Sequence, residues 1–104
     1  MYQGINVDGD RSVVADNVCD DNTSSGIFVH GKRNRIEGNH CAENDFGIYF
    51  YNNGDGDRAD NNVAMRNSCA HNTTANFFVG VSNWVANIET TGAFSGPWDN
   101  FSIP

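Results

Sequence analysis

Apolar and polar residues alternate along this chain in short bursts, and the bursts recur. Gly4-Ile5-Asn6-Val7, Gly26-Ile27-Phe28-Val29, Gly47-Ile48-Tyr49-Phe50 and Asn76-Phe77-Phe78-Val79 form one series, with starts 22, 21 and 29 residues apart. A second series keeps phase with it: Asn17-Val18-Cys19-Asp20-Asp21-Asn22, Asn39-His40-Cys41-Ala42-Glu43-Asn44 and Asn67-Ser68-Cys69-Ala70-His71-Asn72, each reading Asn-x-Cys-x-x-Asn. Five residues before each Cys stands Val14, Ile36 or Ala64, and Asn34-Arg35-Ile36 returns as Asn83-Trp84-Val85. Each burst is too short for a helix, and period-two alternation is the signature of a half-buried strand. The pattern predicts three short strands per repeat.

About 22 residues at roughly 3.3 Å each can complete one circuit around a narrow core, with the next copy lying about 4.8 Å above it. Repetition at this period therefore predicts a solenoid of parallel strands. Asn at the corners is expected to take the left-handed conformation and to hydrogen-bond to the Asn of the next coil. Asn17, Asn39 and Asn67 should form one ladder, and Asn22, Asn44 and Asn72 another.

Composition narrows the picture further. The 104 residues include 16 Asn and no Leu, which excludes a helical bundle. Thirteen acids against six bases give a formal charge of −7, and the bases are scattered, so no nucleic-acid surface is expected. The longest apolar run, Phe77 to Val81, is far short of the roughly 20 residues of a membrane span, and the opening Met1-Tyr2-Gln3-Gly4 does not read as a leader peptide. Metal ions and neutral or cationic partners suit this balance better.

The segments G-I-x-V, N-x-I-x-G-N and N-x-C-x-x-N resemble the repeats of right-handed parallel β-helix proteins. That architecture is shared by pectate lyases, polygalacturonases, alginate lyases and epimerases, and phage tailspikes. The resemblance covers about Gly4 to Asn87, and Gly96-Pro97-Trp98-Asp99-Asn100-Phe101 is similar to the tail that follows the last coil in bacterial members. It implies an all-β fold, a right-handed single-stranded parallel β-helix of about four coils with a C-terminal capping tail. Coils are expected over residues 1–91, starting near 4, 26, 47 and 76 with an insertion at 52–61, and a tail over 92–104 is expected to fold back over the last coil. A leucine-rich repeat would share the Asn ladder but not the absence of Leu. Enzymes of this group are several times longer. The resemblance thus implies a C-terminal fragment, or a chain that stacks on a partner through its open N-terminal end, either upstream coils or a second copy. It also implies a polysaccharide partner and a secreted or cell-surface location.

On this map Cys19, Cys41 and Cys69 form a column and read first as core filling. A disulfide between adjacent coils is within geometric reach, whereas a column of three thiols does not converge on a zinc ion. With Ile5, Val7, Ile27, Val29, Ile48, Phe50, Phe77 and Val79 inward, the outward columns are Asn6, Phe28, Tyr49, Phe78 and then Asp8, His30, Tyr51, Gly80. Aromatic rings at strand spacing can stack on sugar rings, which makes Phe28, Tyr49, Phe78 and Asp8 candidate substrate-binding residues; a self-stacking ladder is the structural alternative. The turn Asp8-Gly9-Asp10-Arg11 aligns with His30-Gly31-Lys32-Arg33, and Asp10 over Lys32 suggests a cross-coil ion pair. The insertion repeats Asp-Gly-Asp-Arg. Its Asp55 and Asp57, with Asp60, are candidate calcium ligands, since calcium takes six to eight oxygens, although the same residues also form an ordinary solvated turn.

Family chemistry implies removal of the proton beside a uronic-acid carboxylate. That needs a cation on the carboxylate, a base and an acid. Lys32, Arg33 or the calcium ion would be the cation, His30 the base and Tyr51 the acid. The catalytic patterns of the group do not map directly: Val29-His30-Gly31 only echoes the Gly-His-Gly of polygalacturonases, and the Asp-Pro-His-Asp of alginate epimerases is absent. Two readings remain, a polysaccharide-binding or polysaccharide-processing β-helix of lyase, epimerase or hydrolase type, and non-catalytic terminal coils of a longer solenoid.

Overall fold

Strand follows strand with no helix among the described residues, which in this computed structural model are 3–51, 59–80, 82–91 and 96–103. The chain wraps in repeated circuits of three faces. The first sheet stacks β1 (Ile5–Val7), β4 (Ser25–Val29), β7 (Phe46–Phe50) and β10 (Ala75–Phe78). The second stacks β2 (Val13–Ala15), β5 (Arg35–Glu37), β8 (Val63–Met65) and β11 (Trp84–Val85). The third runs β3 (Val18–Asp20), β6 (His40–Ala42), β9 (Ser68–Ala70), β13 (Asn100–Ile103) and β12 (Ile88–Glu89). All pairings between these strands are parallel, and like lies over like: Ile27 between Ile5 and Ile48, Ile36 between Val14 and Ala64, Cys41 between Cys19 and Cys69.

Every inward residue of the central coils is sealed. Ile27, Val29, Ile36, Cys41, Ile48, Phe50, Ala64 and Cys69 are fully buried and form one continuous core. The cysteines are free thiols that fill this core rather than bridge it. Contact with the Cys41 thiol, followed by burial, raises the pKa of Cys19 far above the ordinary thiol range, so it stays protonated and unreactive.

Both expected Asn ladders are present. Nδ2 of Asn17 donates to Asn39 Oδ1 at 3.0 Å and that of Asn39 to Asn67 Oδ1 at 3.1 Å. The second ladder runs from Asn22 to Asn44 at 3.0 Å and on to Asn72 at 3.1 Å. A third, through Asn34, Asn62 and Asn83, lines the corner between the first two sheets: Asn34 N–H donates to Asn62 Oδ1 at 2.8 Å and Asn62 Nδ2 to Asn83 Oδ1 at 2.9 Å.

The corner conformation differs from expectation. At most of these corners the left-handed residue is the one just before the ladder Asn, namely Asp16, Asp21, Arg33, Gly38, Glu43, Asn61, Arg66 and His71, with φ between 55° and 70°; Arg11, before Ser12, bends in the same way. The N–H of the bending residue reaches a carbonyl in the coil above, as Asp16 does to Glu37 at 3.1 Å and Asp21 to Ala42 at 3.1 Å. The bend thus falls on an exposed or partly exposed residue, which leaves the Asn side chain free to point inward and satisfy buried backbone groups.

Glycine recurs at the start of the first-sheet strands because the coils approach there. A Cβ on Gly26 would stand 2.8 Å from the Gly47 carbonyl oxygen and 2.9 Å from Cys41 Cβ. The fourth coil carries Asn76 instead, whose Oδ1 accepts from Asn72 Nδ2 at 2.8 Å and so ends that ladder.

After the insertion the next strand keeps its register, and the tail departs from expectation. Ala59 N–H donates to the Tyr51 carbonyl at 2.7 Å, so the chain re-enters the coil where it left, and β8 pairs with β5 in register. The described part of the tail is not laid over the end of the stack: β13 enters the third sheet, between β9 and β12, with Ser102 beside Cys69. Asn100 explains this, since its Oδ1 accepts from Asn67 Nδ2 at 3.0 Å and extends the first ladder by one rung. Phe94, also in the tail, lies outside the described residues.

Candidate functional site

The outward residues of the first sheet gather into one aromatic face. Phe28 stands beside Asn6 and Tyr49, and Tyr49 beside Phe78, in strict register. The rings of Phe28 and Tyr49 stack with centroids 5.5 Å apart and planes 26° apart, and those of Tyr49 and Phe78 at 4.9 Å and 17°. Both faces of Tyr49 are therefore covered by neighbours, and what this column offers a ligand is ring edges and the phenol. Phe46, which sequence reasoning missed, meets Tyr49 edge-on at 4.8 Å and Phe78 at 5.6 Å. It begins β7 just before the repeated glycine, outside the G-I-x-V frame, so alternation within that frame did not reveal it.

The next column brings three polar groups together. Asp8 Oδ1 lies 3.2 Å from His30 Nδ1, and the His30 ring meets Tyr51 edge-on with centroids 4.6 Å apart. Tyr51 is 5.8 Å from Phe28, which links this cluster to the aromatic column. Backbone bonds hold both residues in line: His30 N–H donates to Val7 at 2.7 Å and Tyr51 N–H to Val29 at 2.9 Å. Asp8 is the most open member, with 74% of its side chain exposed against 33% for His30. A carboxylate accepting from Nδ1–H fixes the imidazole tautomer and leaves Nε2 as a proton acceptor.

Lys32 and Arg33 occupy the following turn. Lys32 N–H donates to Asp10 Oδ1 at 2.8 Å, so Asp10 binds the backbone of Lys32 where a charge pair between side chains was expected. Gly31 permits this stacking, because a Cβ there would overlap the Gly9 carbonyl. Arg33 takes the left-handed corner, and its N–H donates to the Asp60 carbonyl at 3.1 Å. Asp60 sits opposite Lys32 in an isolated parallel bridge. Asp55 and Asp57 lie outside the described residues, and among the described residues no three His, Cys, Asp or Glu side chains cluster as metal ligands.

A second feature lies on the outer face of the second sheet. Val13, Arg35, Val63 and Trp84 form one outward column, with Glu37 beside Met65 in the next. Trp84 occupies the place of Arg35 in the repeated Asn-x-apolar segment, so its outward direction was legible from the repeat. The position of Trp98 was not, because it lies in the tail.

No curated protein and no solved structure matches the chain. A family model described as the right-handed beta helix region matches residues 1–94, in agreement with three parallel sheets wound coil upon coil, and the chain belongs to the right-handed β-helix family.

Proposed function

We propose that the first-sheet face binds and processes a uronate-bearing polysaccharide, with the Asp8–His30–Tyr51 cluster at the reacting centre. What supports the reading is the contact of a carboxylate-bonded imidazole with a phenol on an outward column, flanked by aromatic residues. In a β-elimination, His30 Nε2 takes the proton from the carbon beside the uronate carboxylate. The released electron pair forms the carbon–carbon double bond as the glycosidic C–O bond breaks, and the Tyr51 hydroxyl gives its proton to the departing oxygen. Lys32 or Arg33 would counter the carboxylate charge. Export to the cell surface or beyond would bring such a chain to its substrate.

The test is to incubate the chain with polygalacturonate and with alginate, following ultraviolet absorbance of unsaturated product and, by NMR, epimerisation. His30→Ala and Tyr51→Phe should each lower turnover by roughly 10²–10⁴-fold, with circular dichroism showing the strands intact. Equal turnover by folded variants, or indifference of the parent chain to every uronate glycan, overturns the reading and leaves a structural role for these coils.

A further inference from the structure

We propose a second binding site, for an acidic oligosaccharide, in the trough across the outer face of the second sheet where Trp84 and Trp98 stand. This site is on a different face from the Asp8–His30–Tyr51 cluster and does not depend on it. Three adjoining concavities meet at the two indoles. One, of about 410 Å³, runs between Trp84 and Asn61; the next, of about 250 Å³, has Trp84 and Trp98 together over Val63 and Met65; the third, of about 580 Å³, has Trp98 with Arg35, Glu37 and Arg66.

Trp84 and Trp98 are the chain's two tryptophans, and they are 73% and 54% exposed. Leaving so much indole in water forgoes a large part of the stabilisation its burial would bring. Trp98 is also held in place: the Arg66 guanidinium lies 5.0 Å from its ring centroid and pairs with Glu37. An aromatic plane fixed in this way binds without first losing side-chain freedom.

Charge selects the occupant. The whole chain carries −7, yet among the described residues that line the end of the trough beside Trp98, Arg35 and Arg66 share one carboxylate, Glu37, which lies 3.8 Å from Arg35 Nη1 and is only 16% exposed in its side chain. Pyranose rings present flat C–H faces that match indole planes, and a uronate carboxylate matches the donor fork of Arg35. A run of sugar rings with a carboxylate at the arginine end satisfies both halves of the trough at once, whereas a neutral glycan or an apolar peptide satisfies only the indoles.

Because the only two tryptophans line the trough, their intrinsic fluorescence reads it directly. Titration with tetragalacturonate should give a saturable fluorescence change, and its methyl ester should bind at least fivefold more weakly. Trp98→Ala and Trp84→Phe should each weaken binding tenfold or more by calorimetry. Arg35→Gln should weaken the acid about tenfold and leave the ester unchanged, a contrast that unfolding would not produce. His30→Ala should leave the trough titration intact, which separates this site from the first-sheet reading. Absence of saturable binding, equal affinity for acid and ester, or affinity unmoved by the tryptophan and arginine variants overturns the proposal. So does sedimentation showing a dimer that Trp84→Phe dissolves, for then a second copy is the occupant.

Discussion

Residue by residue, the asparagines carry more of this structure than the apolar side chains beside them suggest. Asn67 is fully buried; its Oδ1 accepts from Asn39 N–H and Nδ2 at 3.0 and 3.1 Å, and its Nδ2 donates to Ile36 and Asn100 at 2.9 and 3.0 Å. Removing it strands several buried groups at once, and each such group costs about 1–3 kcal/mol. Asn67→Ala should therefore destabilise by roughly 3 kcal/mol or more in urea denaturation. Asn17→Ala, in the first coil, should lose no more than about 1 kcal/mol, since only one cross-coil rung depends on its amide. That these asparagines would stack was legible from Asn-x-Cys-x-x-Asn alone, because identical spacing puts identical groups at one height. Which residue bends was not: the preference of Asn for the left-handed region pointed to Asn itself, but in the folded coil the inward amide is worth more than a relaxed corner, and Arg33, Arg66 and His71 bend in its place.

Among the elements, the strands are short because the corners come every few residues, and the corners tolerate little bulk where coils touch. Gly26 sits between the Gly47 carbonyl, Asn44 Nδ2 and Cys41 Cβ, the last two each 2.9 Å from where its Cβ would be. Backbone and core atoms cannot yield as a surface side chain does. Gly26→Ala should thus cost several kcal/mol, about the range of core overpacking at its upper end, or abolish cooperative unfolding altogether, as thermal denaturation by circular dichroism would show. A mild effect, below about 1 kcal/mol, would mean that the coils are not held at this spacing. Registry along the first sheet was also predictable, and it placed Phe28, Tyr49 and Phe78 correctly. The ring geometry was not: whether aromatic neighbours lie face to face or turn outward depends on rotamers, and Phe46, which meets Tyr49 and Phe78 edge-on, lies outside the repeated frame.

For the molecule as a whole, one column of thiols crosses three coils and ties stability to pH. Cys19 and Cys41 both have pKa values raised well above the ordinary range; for Cys19 the causes are the Cys41 contact and then burial, while for Cys41 the contact with Cys19 acts downward and is outweighed by Cys69 and burial. The unfolded chain releases these protons near pH 8.5 and the folded chain does not. Above that pH the folded state binds more protons than the unfolded state, so stability falls as pH rises, by up to about 1.4 kcal/mol per pH unit for each thiol. Below it the contribution is constant. Urea midpoints measured from pH 8 to 10.5 should decline accordingly, and Cys41→Ala should flatten the decline; an unchanged slope in that variant would remove the thiols as its cause.

The repeat period, the three-strand coil, the inward cysteines and two of the Asn ladders were determined by the sequence by itself, because a solenoid turns distance along the chain directly into height along an axis. Tertiary structure decided what that conversion does not reach. The tail threads β13 between β9 and β12 because Asn100 and Ser102 complete a ladder and a core column that the repeat leaves open. Trp98 is carried with it onto the face where Trp84 already stands, and no periodicity relates those two residues. Contacts between a repeat and a non-repeating segment follow from which partners are left unsatisfied once the coils have closed, and that is known only in three dimensions.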